Sequence, residues 1–311
     1  MDKREQQSLA KGTIAVLVVA ALSLVIKDGY TSNLIIWMAI AALIASSLRF
    51  VLLIGELNFA TAAFVGLGAY GAGVVLTILE WPFVIALVFS GIVAALIGFL
   101  FGYVTLKVKG PFFLLIGFAF TEVVRLIYTK IDIIGSNSGM VGIFPPDLLA
   151  PYYPTFAILV VGIMLLMLYK IENSHLGKTF KGIRDNDQVV LAVGINVHMI
   201  KVLCLTISAF ASGIAGGLMA FVNNVISPGD FSFLLSTFAL AYLKVGGEDK
   251  PIGPILGAIL LVALSTVALS FGGGDHIFFG IAIVLTVLLM PKGIVGLYDK
   301  WRQHRKGERA A

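Results

Sequence analysis

The chain has 311 residues, of which 59% are apolar and 13% charged, with a net charge of +5. A soluble domain carries about 25% charge, so there is too little polar surface here to wrap a water-soluble globule of this size. The positive excess sits between apolar segments, where it reads as topology-setting charge and not as a nucleic-acid surface.

Uncharged runs at 29–48, 57–79, 81–106, 148–169, 202–229 and 251–274 are each close to the roughly 20 residues that cross a hydrocarbon core. Shorter runs lie at 12–26, 110–121, 231–243 and 276–290. Together they predict an all-α polytopic membrane protein with about ten spans. The spans are expected near 12–26, 32–54, 58–79, 82–105, 111–129, 153–170, 199–222, 232–246, 253–271 and 276–290. The count falls to eight or nine if the fifth span, which holds Glu122 and Arg125, or the short eighth does not cross. Lys3, Arg4 and Lys11 precede the first run as in a signal peptide. No small-residue cleavage site follows at Lys27-Asp28, so an uncleaved first span is expected. With the N-terminus inside, only Lys27 and Lys130 of the 22 basic residues fall outside, and Arg49 and Arg125 fall within spans. The bias predicts N-in and C-in. Residues 1–297 then form a single transmembrane domain, and 298–311 a basic cytoplasmic tail.

Two segments between spans are expected as exterior connections. Residues 131–152 carry Gly135-Ser136-Asn137-Ser138-Gly139 and Pro145-Pro146, a turn-rich loop and not a helix. Residues 223–230 form the second. The longest polar interruption, 174–197, is expected in the cytoplasm as two short helices. Asp185 with Gln188 three residues later fits a capping box. Gly194 supplies the stop. Val189, Val190 and Val193 give the second helix an apolar face in search of a partner.

Ionisable residues inside spans are expensive and mark function or structural pairing. Glu122 and Arg125 share a helix face. Arg49 and Glu56 would share one if the helix ran on, although Gly55 and Asn58 suggest a break between the second and third spans. Glycines 66, 68, 71 and 73 in the third span and 213, 216 and 217 in the seventh predict close helix packing. Cys204 reads as a small core residue, and His175, His198, His276 and His304 form no metal-ligand spacing. A P-loop and a Gly-x-Ser-x-Gly elbow are both missing from the sequence. No catalytic residue, metal or cofactor is therefore expected on this chain.

Seven ordered segments resemble the permease subunits of branched-chain amino-acid ABC importers, the M-type subunit in particular. They are Gly55–Tyr70, Lys109–Phe113 with Phe118–Arg125, Gly135–Gly142, Ile183–Val197, Ser227–Phe233, Gly253–Ala258 and Met290–Leu297. The chain departs from the family at Glu56-Leu57-Asn58-Phe59, where Ser-Leu-Gly-His is usual. The resemblance implies an ABC importer permease fold in the cytoplasmic membrane of a bacterium or archaeon. It implies a second permease subunit, two cytoplasmic ATPases that bind ATP and Mg, and an extracytoplasmic binding protein as partners. Transport would be by alternating access, with Gly177, Arg184, Asp185, Asp187, Ala192 and Gly194 coupling to an ATPase. Glu56, Asn58, Glu122 and Arg125 are the expected pathway residues. Branched-chain or similar small amino acids are the expected cargo. Urea, amides or another small metabolite are the alternatives, and an ion-coupled carrier acting alone is the rival class.

Overall fold

The computed structural model describes residues 3–25, 28–108, 110–270, 280 and 293–297. The expected tenth span at 276–290, the tail from 298, Lys109, His276 and His304 lie outside the described residues. Within them the chain is helical almost throughout. The helices are α1 (Lys3–Val25), α2 (Gly29–Leu52), α3 (Thr61–Thr77), α4 (Phe83–Thr105), α5 (Pro111–Tyr128), α6 (Tyr153–Asn173), α7 (His175–Asp185), α8 (Asp187–Ala192), α9 (Val197–Asn223), α10 (Phe233–Gly246) and α11 (Ile252–Ser270). By length and composition, α2, α4, α5, α9 and α6 with its preceding turn can cross a membrane. α3, α10 and the apolar parts of α1 and α11 are shorter.

α9 is the axis of the bundle. Its long buried face packs against α3 and α4, with α2 also in contact. The approach depends on glycine, as the small-residue pattern predicts. A methyl group on Gly68 would collide with the Gly213 backbone, and one on Gly216 with the Val65 carbonyl. Polar pairs then join the helices. Ser47 Oγ lies 2.8 Å from Ser212 Oγ, and Ser208 Oγ donates to the Ser47 carbonyl at 2.6 Å. Cys204 is fully buried beside Phe50, whose carbonyl its thiol faces at 3.4 Å.

The two turn-rich connections meet each other. β1 (Met140–Val141) and β2 (Val225–Ile226) pair antiparallel, Met140 opposite Ile226 and Val141 opposite Val225. The polar loop with α7 and α8 caps the opposite end, where Gly55 lies against the stem of Arg184.

α2 and α3 are separated by the break that Gly55 suggests. Helix α2 stops at Leu52, Gly55 takes φ +80°, and α3 begins only at Thr61. Non-helical backbone is tolerated inside a membrane protein only where other groups satisfy it. Here they do. The Phe59 carbonyl accepts from Thr121 Oγ1 and from Ser236 Oγ, both at 2.9 Å. Ser236 Oγ in turn accepts from Ala62 N at 3.0 Å, and Asn58 Oδ1 from Ala60 N at 2.9 Å.

Candidate functional site: the coupling loop and the broken-helix core

α7 is amphipathic, and its apolar side is fastened to the bundle. Gly177, Phe180 and Ile183 are buried. Their spacing of three matches one helix face. Phe180 meets Phe50 of α2 edge to face, ring centroids 5.8 Å apart. Gly177 is required by space, because a side chain there would run into the Glu172 carbonyl. Lys181, on the same helix, reaches Glu172 at 3.2 Å.

α8 follows after a single residue and buries nothing. Val189, Leu191 and the following Val193 are 60%, 48% and 74% exposed, apolar side chains turned outward, while Val190 of the expected apolar face is half-buried. Asp185 is not the cap. It is the last residue of α7, and Asn186 takes the cap role, its Oδ1 accepting from Gln188 N at 3.0 Å. With Ile183 buried, α7 runs one residue further than a cap at Asp185 would allow. Asp185 instead lies 3.6 Å from Arg184, and both are exposed. Asp187 occupies the first turn of α8 and Ala192 its last position. Gly194 follows with φ +83° and no neighbour within 4 Å of an added side chain. Its need is therefore conformational, a left-handed stop that other residues adopt at a cost.

Arg49 and Glu56 do not pair with each other, because α2 ends between them. Each finds a residue far along the chain. Arg49 Nη1 donates to Glu172 Oε2 at 2.7 Å and Nη2 to Oε1 at 3.0 Å, with both side chains almost fully buried. Glu56 Oε1 accepts from Lys201 Nζ at 3.1 Å, and its Oε2 from Gly110 N at 3.0 Å. Removing one member of such a buried pair costs about 3–5 kcal/mol, since it strands a charge without water. Glu172 and Lys201 carry no sequence signal for these roles, lying at the apparent edges of apolar runs.

The four expected pathway residues fall in three places. Glu56 is closed in its ion pair. Asn58 is fully buried in the break before α3. Glu122 and Arg125 form their own pair at 2.7 Å, 24% and 31% exposed, on an otherwise apolar face of α5. Glu122 Oε1 also accepts from Phe233 N at 3.2 Å, at the head of α10. Phe118 meets Phe233 edge to face at 5.2 Å. α5 and α10 thus present one surface, aromatic with an embedded ion pair.

The model of the family described as "Branched-chain amino acid transport system / permease component" matches residues 30–290. The chain belongs to that family. The match covers α2 through α11 and hence the whole broken-helix core. Among curated proteins, the chain is 27% identical over 271 residues to the high-affinity branched-chain amino acid transport system permease protein LivM of Escherichia coli, covering 78% of this chain and 64% of that protein. It is 22% identical over 240 residues to the probable branched-chain amino acid transport permease protein LivM of Methanocaldococcus jannaschii, covering 68% of each. It is 25% identical over 165 residues to the probable LivH permease of the same organism, half of each chain. This permease chain thus spans under two thirds of the Escherichia coli relative's length. No solved structure matches it.

Proposed function

We propose that this chain is one of two membrane-spanning subunits of an ATP-driven importer for branched-chain or similar small amino acids. The observation that carries the reading is the 175–192 loop, whose first helix is fastened to the bundle while its second offers bare apolar side chains. That is the form of a lever held at one end and gripped at the other. In this reading the loop is cytoplasmic, the chain is N-in and C-in in the inner membrane, and 276–290 forms a tenth span. Basic residues support the orientation: Lys170 and Lys244 end α6 and α10 at the α7–α8 end of the bundle. The two cytoplasmic ATPases bind ATP and Mg. An extracytoplasmic protein delivers the amino acid to the end that carries β1 and β2.

The surface of α5 and α10 faces the second permease subunit. Phe112 and Leu115 are 68% and 58% exposed there, and the Glu122–Arg125 pair opens onto the same side. An ion pair turned toward lipid would be costly, so such groups face protein or a watered path. Similarity to both M-type and H-type relatives fits a second subunit built on a related sequence.

The test is uptake of labelled leucine into proteoliposomes. The assembly of this chain with its second permease, ATPases and binding protein is expected to accumulate leucine only with internal ATP. Accumulation by this chain alone, driven by an ion gradient, would overturn the proposal.

A further inference from the structure

We infer that a charge relay from Lys181 through Glu172 to Arg49 carries movement of the coupling loop to the α10–α11 turn, with Glu172 as the positioning residue. The inference rests on the reading of 175–192 as the segment gripped by an ATPase.

Glu172 stands two residues before Ser174, where α6 gives way to α7. Its buried carboxylate joins two cations from two different helices. Oε1 takes Lys181 Nζ from α7, and both oxygens take the guanidinium of Arg49 from α2. Four hydrogen bonds engage the guanidinium. Its Nε donates to the Glu248 carbonyl at 2.9 Å and Nη2 to the Asp249 carbonyl at 3.3 Å. Arg49 therefore holds the turn by its backbone position, while the Glu248 side chain turns away to pair with Lys244 at 2.6 Å.

That turn is glycine-built, with the Gly246 and Gly253 backbones in close contact. Gly247 takes φ +110°, a conformation closed to L side chains, directly after α10 ends at Gly246. Changes concentrated at such element ends are how hinges work. At its other end α10 carries Ser236 and Phe233, which hold the Phe59 carbonyl and Glu122. Polar contacts at the two ends of α10 thus tie α7, Glu172 and Arg49 at one end to the break between α2 and α3 at the other, with the helix itself as the connection.

Stability alone does not account for the arrangement. Buried ion pairs contribute little net stability compared with apolar packing. Lys181 is 43% exposed, so removing it leaves the Arg49–Glu172 pair intact. Its contribution is the connection to α7. A rigid, planar guanidinium with four committed bonds transmits displacement because hydrogen bonds weaken steeply once stretched or bent.

The experiment uses the whole assembly in proteoliposomes, with a reporter cysteine at Thr237→Cys on α10. The native Cys204 is buried and gives little background on this chain. With Lys181 intact, ATP is expected to change the labelling rate at 237 by about fivefold or more, within the usual range of coupling energies. Lys181→Met should reduce that change to less than about twofold while ATP hydrolysis continues. Leucine uptake per ATP hydrolysed should fall with it. Lys181→Arg should restore both. Arg49→Lys, which keeps the charge but cannot hold carboxylate and two carbonyls together, should reproduce the loss. An unchanged ATP response and an unchanged uptake ratio in Lys181→Met would overturn the relay. No ATP response at 237 with Lys181 intact, in an assembly that still accumulates leucine with ATP, would overturn the relay as well; loss of ATP-dependent uptake by the unaltered assembly would instead overturn the importer reading beneath it.

Discussion

α7 and α8 are neighbours separated by one residue, yet they belong to different mechanical worlds. α7 buries Gly177, Phe180 and Ile183 and donates Lys181 to a buried carboxylate. α8 buries none of its six residues and leaves Val189 and Leu191 in the open. Composition alone points the other way, since α8 carries Val189, Val190, Leu191 and Ala192 in six residues and α7 only Leu176, Phe180 and Ile183 in eleven. What separates them is where the apolar residues point. In the proposed reading α7 is the anchored half of a handle, held by core contacts, and α8 is the half that a partner would grip.

Five substitutions, in three tests, sharpen the contrast. The largest effect is expected from Phe180→Ala, which empties a fully buried site against Phe50. It should cost about 3–5 kcal/mol, read as loss of folded protein or a lower melting temperature in detergent. Equal stability of the variant would mean that α7 is not anchored. Next comes the cap. Asn186→Ala should cost about 1 kcal/mol, whereas Asp185→Ala, which removes no cap, should cost less than about 0.5 kcal/mol. Urea or thermal unfolding of the two variants side by side checks the order, and the reverse order would return the cap to Asp185. The smallest effect on stability belongs to Val189→Asp with Val193→Asp. These exposed positions should shift stability by less than about 0.5 kcal/mol each, and their consequence should appear elsewhere.

Much of the architecture was legible in the chain before any coordinates. Apolar runs, the loop between 174 and 197 and the glycine-lined contact of α3 with α9 are local signals of length, polarity and size. Gly194 was equally legible, because a left-handed helix stop is written in one residue. The cap was missed by a single position. Asp185, Asn186 and Asp187 can all cap a helix, and the choice among them depends on how far α7 extends, which the burial of Ile183 decides. The ion pairs were illegible for a different reason. Arg49 and Glu172 are 123 residues apart, and Glu56 and Lys201 are 145 apart, so no periodicity links them. The helix break at Gly55 could be suspected, but not which distant side chains would take up the charges it releases. Thr121 and Ser236, which satisfy the Phe59 carbonyl, are unmarked hydroxyls in apolar runs. Such residues acquire meaning only once three helices converge on them.

The central claim is that α8 is the gripped half of the lever. Its most direct test is co-purification of the ATPase subunits with the Val189→Asp/Val193→Asp variant, alongside its melting temperature. The account predicts a variant that inserts and melts like the unaltered chain but recovers at least about tenfold less ATPase, the loss of roughly 1.4 kcal/mol of binding. Full recovery of the ATPases by this variant would contradict it.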